Sequence, residues 1–340
     1  MAVKKIDLAL QGGGAHGAFT WGVIDRILDD DRVAIEGVCG TSAGAMNGVC
    51  TIYGLNKGGP QEAKRLLETF WKKISEAGKK TGMIPSWYDK TISKGNMNYS
   101  PVYRMFSSMF ENMSPYQFNP MGINPLEKIL NDLIDFKELH RMNPPKLYVC
   151  ATNVRTCEAR VFGPTEITAK SILASACLPY MYQAVEIDGE SYWDGGYMGN
   201  PPIQPLIDDL GTDDILLIQV NPVRIKSTPT DIEDIRDRVN ELSFNSSLLA
   251  DLKLIMFQQE LIDKGITIDG RLRRTLLHNI SADHALDGLN LSSKLNTDWD
   301  FLQHLKQTGR EYAEEWLETN YVHIGKKSTI NLKPEVPVKG

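Results

Sequence analysis

The strongest chemical signal in this chain is a serine set among small residues, Gly40-Thr41-Ser42-Ala43-Gly44. The pattern G-x-S-x-G between a strand and a helix is a nucleophile elbow: small neighbours permit a sharp turn that lifts the hydroxyl clear, at a helix N-terminus. A second signal precedes it, Gly12-Gly13-Gly14-Ala15-His16-Gly17. Glycines let backbone approach a ligand closely, and a helix N-terminus offers unpaired N–H groups to an anion. The spacing Gly12-x-Gly14-x-x-Gly17 suits two roles, a dinucleotide site or an oxyanion hole. A dinucleotide fold would end its second strand near a ribose-binding acid. Glu36 lies at roughly that distance, but the end of the strand is spent on the elbow. Ser42 is therefore read as a catalytic nucleophile, with Gly40 and Gly44 shaping its turn.

The third signal is Trp193-Asp194-Gly195-Gly196-Tyr197, with Asn200-Pro201-Pro202 just beyond. Taken alone, Asp-Gly reads as a hairpin turn. Beside a serine elbow with no well-placed histidine, Asp194 becomes the candidate general base. His278, His284, His304 and His323 all follow the elbow, as a hydrolase triad would require, yet none sits in a glycine-rich turn at a strand end. His284 lies in what reads as a capped helix start, and His304 and His323 lie on or just past a helix. His16, inside the glycine loop, is placed to orient that loop, to meet substrate, or simply to pack. Cys39, Cys50, Cys150, Cys157 and Cys177 show no C-x-x-C spacing and read as buried or half-buried thiols. No metal site, cofactor or Walker-type loop is expected.

These motifs need strands that end at one level. Lys5–Gln11, Ala34–Cys39, Leu147–Asn153 and Ile215–Val220 are the strand candidates. The last two are nearly continuous apolar runs, as in strands covered on both faces. Helices are expected at Ala15–Asp29, Ala43–Tyr53, Ser246–Asp263 and Asp298–Asn320. The alternation predicts an α/β fold. Residues 78–125, dense in Gly, Pro, Asn, Met, Tyr and Trp, read as an insertion or lid with a short helix at Val102–Phe110. Met83, Ile84, Trp87, Met105, Phe106, Met109 and Phe110 are its candidates for lining an apolar acyl channel.

Composition bounds the rest. The chain has 340 residues, 42% hydrophobic and 24% charged, in the range of an ordinary globular protein. A net charge of -6 and a pI near 5.6 exclude a nucleic-acid-coating protein, which needs a basic face. No apolar run is long enough to span a membrane or to act as a signal-peptide core. The odd number of cysteines speaks against a disulfide framework. A cytoplasmic location is expected, with transient contact at a membrane surface as the peripheral version.

Together, the loop at Gly12–Gly17, the elbow at Gly40–Gly44, the Ala-Ser-Ala-Cys-Leu-Pro run within Ser171–Pro179 and the Asp194-Gly195-Gly196 element resemble the patatin-like phospholipases, over roughly residues 5 to 210. The resemblance implies a three-layer α/β/α sandwich with a mainly parallel central sheet. It implies a Ser42–Asp194 dyad, an oxyanion hole at Gly12, Gly13 and Gly14, and hydrolysis of acyl esters in phospholipids or lysophospholipids without a metal ion. His16 departs from the basic residue common at that loop position. A small-ester esterase, thioesterase or acyltransferase on the same dyad is the alternative, with a nucleotide-binding module behind it. The expected organisation is a catalytic domain over 1–225, a helical extension over 226–325 packed on it, and a flexible tail over 326–340.

Overall fold

Alternation along β1 (Lys4–Leu10) sets the layers. In this computed structural model, which describes residues 3–141, 145–266, 268 and 272–330, Ile6, Leu8 and Leu10 enter one apolar core while Ala9 enters another. Successive strand side chains point to opposite faces, so a strand apolar throughout must be covered twice.

Strand β1 is followed by α1 (Gly17–Ile27), β2 (Val33–Gly40) and α2 (Ala43–Thr81). Five helices come next: α3 (Trp87–Ile92), α4 (Pro101–Asn112), α5 (Pro115–Phe118), α6 (Pro125–Leu133) and α7 (Phe136–Leu139). Then come β3 (Lys146–Asn153), β4 (Ala159–Phe162), α8 (Ala169–Ser175), β5 (Val185–Ile187), β6 (Glu190–Asp194), α9 (Gln204–Asp209) and β7 (Asp214–Gln219). The described chain closes with α10 (Ile232–Asp263), β8 (Leu276–Ser281) and α11 (Trp299–Asn320).

The sheet runs β5-β6-β3-β2-β1-β7-β8, with β4 also paired to β3. Pairings from β3 through β2, β1 and β7 to β8 are parallel, and β4, β5 and β6 join antiparallel. Helices α1, α2, α6, α8 and α11 bury their apolar faces on the larger core, and α9 and α10 cover the opposite face through Leu206, Ile207, Leu248, Leu252 and Ile255. The result is a three-layer α/β/α sandwich with a mainly parallel sheet, as expected.

Several elements differ from the sequence reading. Helix α2 does not stop near Tyr53. It breaks at Gly58 and Gly59, the latter at φ 76°, and resumes from Pro60, so that Leu66, Leu67, Phe70 and Trp71 are buried. A Gly-Gly-Pro run marks a kink here rather than an end. Helix α10 starts at Ile232, well before Ser246, because its first turns carry exposed apolar residues without a clean buried stripe. The insertion holds more helices than the one expected at Val102–Phe110: Ser86, Ser100, Ser114 and Asn124 are N-caps, and the last three are followed by proline. β8 joins the sheet from the region expected to be helical, and His284 follows it in a turn rather than opening a helix. Thr329 and Ile330 donate backbone hydrogen bonds to the Leu277 carbonyl at 2.9 and 3.2 Å, so the first part of the expected tail lies along β8. The remainder of that tail, 331–340, lies outside the described residues. Among those residues, no helix is long and apolar enough to cross a membrane.

Candidate active site

Sheet register brings the three motifs to one place. Leu10 pairs with Gly40, Gly40 with Val149, and Ala151 with Asp194. Gly12 and Ser42 each follow two residues beyond their paired strand ends, and Asp194 stands two residues beyond the level of Gly40. Strand order reverses at β1, which lies between β2 and β7, and the crevice outside such a switch point is where open α/β sheets bind ligands.

The elbow is tightly built. Ser42 has φ 55° and ψ -120°, a region that costs a non-glycine residue energy and persists only where the surroundings enforce it. A Cβ on Gly40 would lie 2.6 Å from the Gly44 carbonyl, and one on Gly44 would lie 2.2 Å from the Leu10 oxygen. Both positions therefore admit no side chain. The Ser42 N–H donates to Ser175 Oγ at 2.9 Å, and Thr41 Oγ1 donates to the Gly199 carbonyl at 2.5 Å.

The glycine loop is held from below by amides. Gly12 donates its N–H to Asn200 Oδ1 at 2.7 Å, and its carbonyl accepts from Asn221 Nδ2 at 2.6 Å. Gln11 Oε1 accepts from the N–H groups of Val220 and Asn221, both at 2.9 Å, and Gln11 Nε2 donates to Asn245 Oδ1 at 2.9 Å. Among the described residues nothing accepts from the N–H groups of Gly13 or Gly14. Gly14 sits at φ 58°, and a Cβ there would lie 2.3 Å from the Lys294 carbonyl oxygen. His16 turns away from the cavity and shares a hydrogen bond with Ser293 Oγ at 2.7 Å. Burial, reinforced by Lys294, lowers its pKa to about 3, so it is neutral. This burial and bonding suit a packing or loop-orienting role and not contact with substrate. Glu36 forms an ion pair with Lys5 at 3.0 Å, near the opposite end of the strands.

Asp194 ends β6 and is buried. It is not in a hairpin turn: that turn is Asp188-Gly189, with φ 52° and 80°, between β5 and β6. Asp194 instead caps the 3₁₀ turn Gly195–Tyr197, its Oδ1 accepting from the Gly196 N–H at 2.7 Å. Its Oδ2 has no partner of good hydrogen-bond geometry. Burial pushes the carboxyl up from 3.8 to about 7, against the Gly196 N–H, the Ser42 hydroxyl and the Lys294 charge, which all favour the ionised form. The glycines are again obligatory. A Cβ on Gly195 would meet the Cys150 carbonyl at 2.2 Å, and one on Gly196 the Phe244 ring at 2.3 Å.

A cavity of about 620 Å³ opens at Ser42 and Gly14, within the size range of small-molecule sites. Its walls are apolar. Met83, Met105, Phe106, Met109 and Phe110 line it as expected, whereas Ile84 and Trp87 do not and are exposed. Phe70, Trp71 and Ile74 from the unexpected second half of α2 form the other wall. The late histidines stay apart from this site. His278 is buried on β8, bridging Asp214 Oδ1 and Thr329 Oγ1 at 2.9 Å each. Four cysteines are buried as free thiols, and Cys157 is exposed.

Sequence reasoning missed Asn221, Asn245, Ser293 and Lys294. None sits in a motif, and each reaches the loop from more than 200 residues away.

The sequence profile of the patatin-like phospholipase family matches residues 8–207. An uncharacterized protein of Acanthamoeba polyphaga mimivirus is 24% identical over 211 residues, which are 60% of this chain and 62% of that protein, just under two thirds of its length. Among solved structures, VipD from Legionella pneumophila is similar with 16% identity and a TM-score of 0.45, over 92% of this chain and 67% of VipD. ExoU of Pseudomonas aeruginosa, solved in complex with SpcU, is similar with 13% identity and a TM-score of 0.34, over 94% of this chain and 54% of the other.

Proposed function

The chain belongs to the patatin-like phospholipase family, and from that premise we propose that it hydrolyses fatty-acyl ester bonds of phospholipids or lysophospholipids with Ser42 and Asp194 as its dyad. Ser42 Oγ attacks the ester carbonyl while Asp194 takes its proton. The oxyanion is met by the free N–H groups of Gly13 and Gly14, with Gly12 as the clamped base of the loop. Collapse expels the alcohol, which recovers the proton from Asp194. Water then attacks the acyl-serine, losing its proton to Asp194, and collapse releases the fatty acid while Ser42 Oγ takes that proton back.

The observation that carries this reading is the Asp194 carboxyl, buried beside the Ser42 hydroxyl with its pKa raised to about 7. A free aspartate is a weak base for a hydroxyl, and a pKa near the working pH suits general-base catalysis. The apolar cavity supports an acyl chain as the bound group. Met105 and Ile123 line that cavity and are also exposed, so the same face would meet a lipid surface during substrate entry.

The test is turnover of p-nitrophenyl esters of graded chain length by wild type, Ser42→Ala and Asp194→Asn. Both variants are expected to lose at least about 10³-fold in kcat/KM, the scale at which removing a triad member or oxyanion donor acts. An optimum at long acyl chains supports lipid hydrolysis, and one at acetate supports the small-ester alternative. Turnover that survives Ser42→Ala refutes the dyad.

A further inference from the structure

We infer that Lys294 forms an anion subsite beside Ser42 that takes the phosphate of the substrate head group, selecting phosphate-bearing acyl esters over neutral ones. The inference rests on the acyl-hydrolase reading above.

Lys294 belongs to the 3₁₀ turn Leu291–Leu295, far from any motif. Its backbone carbonyl packs on Gly14, and the residue is one of those lining the cavity that opens at Ser42 and Gly14. The ammonium carries three protons. Two are directed to neutral acceptors, Asn221 Oδ1 at 2.8 Å and Asn240 Oδ1 at 3.2 Å. Among the described residues no carboxylate is within ion-pair distance of it; burial lowers its pKa, and Glu241, Asp237 and Asp194 act from further away to hold the charge. Burying a cation without an anion is costly, and folded proteins normally pair such groups. The two asparagines fix the ammonium and the Phe244 ring lies 5.9 Å from it, and none of these neutralises it, which leaves charge and a proton for a bound anion. Most of the remaining wall is apolar, so the acyl chain has its own place. In a glycerophospholipid the phosphate is attached within a few bonds of the scissile ester, which matches a cation beside the nucleophile. His16, neutral and turned away, contributes no competing charge.

The experiment compares decanoyl lysophosphatidylcholine with monodecanoylglycerol below micellar concentrations. Two measurements are made: kcat/KM in the Ser42 protein and calorimetric Kd in the Ser42→Ala background. Lys294→Met is expected to lower the phosphate-to-neutral preference about ten- to a hundredfold in both, the worth of a hydrogen bond to a charged group. Lys294→Arg is expected to restore most of it. An equal loss on both substrates would mean that Lys294 only supports the loop, and an unchanged preference would mean that it meets no phosphate; either overturns the inference. Because the Kd arm needs no turnover, an absence of Ser42-dependent hydrolysis would refute the catalytic reading while leaving Lys294 to be decided by binding.

Discussion

Replacing Asp194 by asparagine should stabilise the protein, and by an amount that grows with pH. Asp194 is buried, and its carboxyl sits at about 7 instead of 3.8. Because the folded-state value is raised, the native protein holds a proton that the unfolded chain releases between those two values. Stability of the wild type therefore falls as pH rises through that window. A shift of about three units corresponds to roughly 4 kcal/mol once the pH exceeds both values, and to about 1–2 kcal/mol at pH 5. Asparagine is nearly isosteric, retains an oxygen for the Gly196 N–H, and does not ionise. The advantage of Asp194→Asn should thus widen by about 2–3 kcal/mol from pH 5 to pH 8, on the order of 5 °C in Tm for a chain of this size. Thermal unfolding of both proteins across that range is the assay. Other titrating groups are common to the two and cancel in the difference. A Tm difference that stays flat with pH would show that Asp194 is not held in a desolvated state, and would remove the physical basis for its role as a base.

Three further outcomes can be checked. The acid limb of kcat/KM should have its midpoint near pH 7 and fall about tenfold per pH unit below it, since the free enzyme needs Asp194 ionised; a midpoint near 4 would contradict the buried-base picture. Filling the cavity wall with Met109→Trp should move the preferred acyl chain to shorter lengths, with each methylene excluded costing about 0.8 kcal/mol, or roughly fourfold in kcat/KM. Asp7 is buried with no hydrogen bond of good geometry among the described residues, and burial, reinforced by Glu36, pushes it up to about 8 against the Gly37 N–H. By the same sign argument, Asp7→Asn should raise stability on the order of 2–4 kcal/mol at pH 8, closing toward pH 4, as read from Tm.

What was legible in the sequence was what local chemistry dictates. The turn around Ser42 can be built only with small residues next to it, so the motif names its own geometry, and the strands on either side announce themselves by apolar runs. The Ser100-Pro101, Ser114-Pro115 and Asn124-Pro125 steps mark three of the insertion's four capped helix starts, whereas Ser86 carries no such step. β4 and β5 escaped notice because four and three residues cannot display a period. β8 escaped because His278 and Asn279 interrupt an otherwise apolar run, and His278 is accommodated only through Asp214 and Thr329. The amides under the glycine loop were invisible for a different reason. Asn221 and Asn245 look like ordinary polar residues until the fold brings their side chains against Gln11 and Gly12. Lys294 likewise reads as a surface lysine until its turn is laid across Gly14.

That the glycine loop is braced by residues as distant as Asn245, Ser293 and Lys294 bears on how the protein is made. A ribosome delivers the proposed nucleophile and base well before it delivers those braces, and domains tend to fold in order of emergence. A nascent chain that has exposed Ser42 and Asp194 still lacks the contacts that hold Gly12 and Gly14 in place. On the proposed function, competence would arrive late in synthesis, and a half-built chain would spare a cell's own lipids.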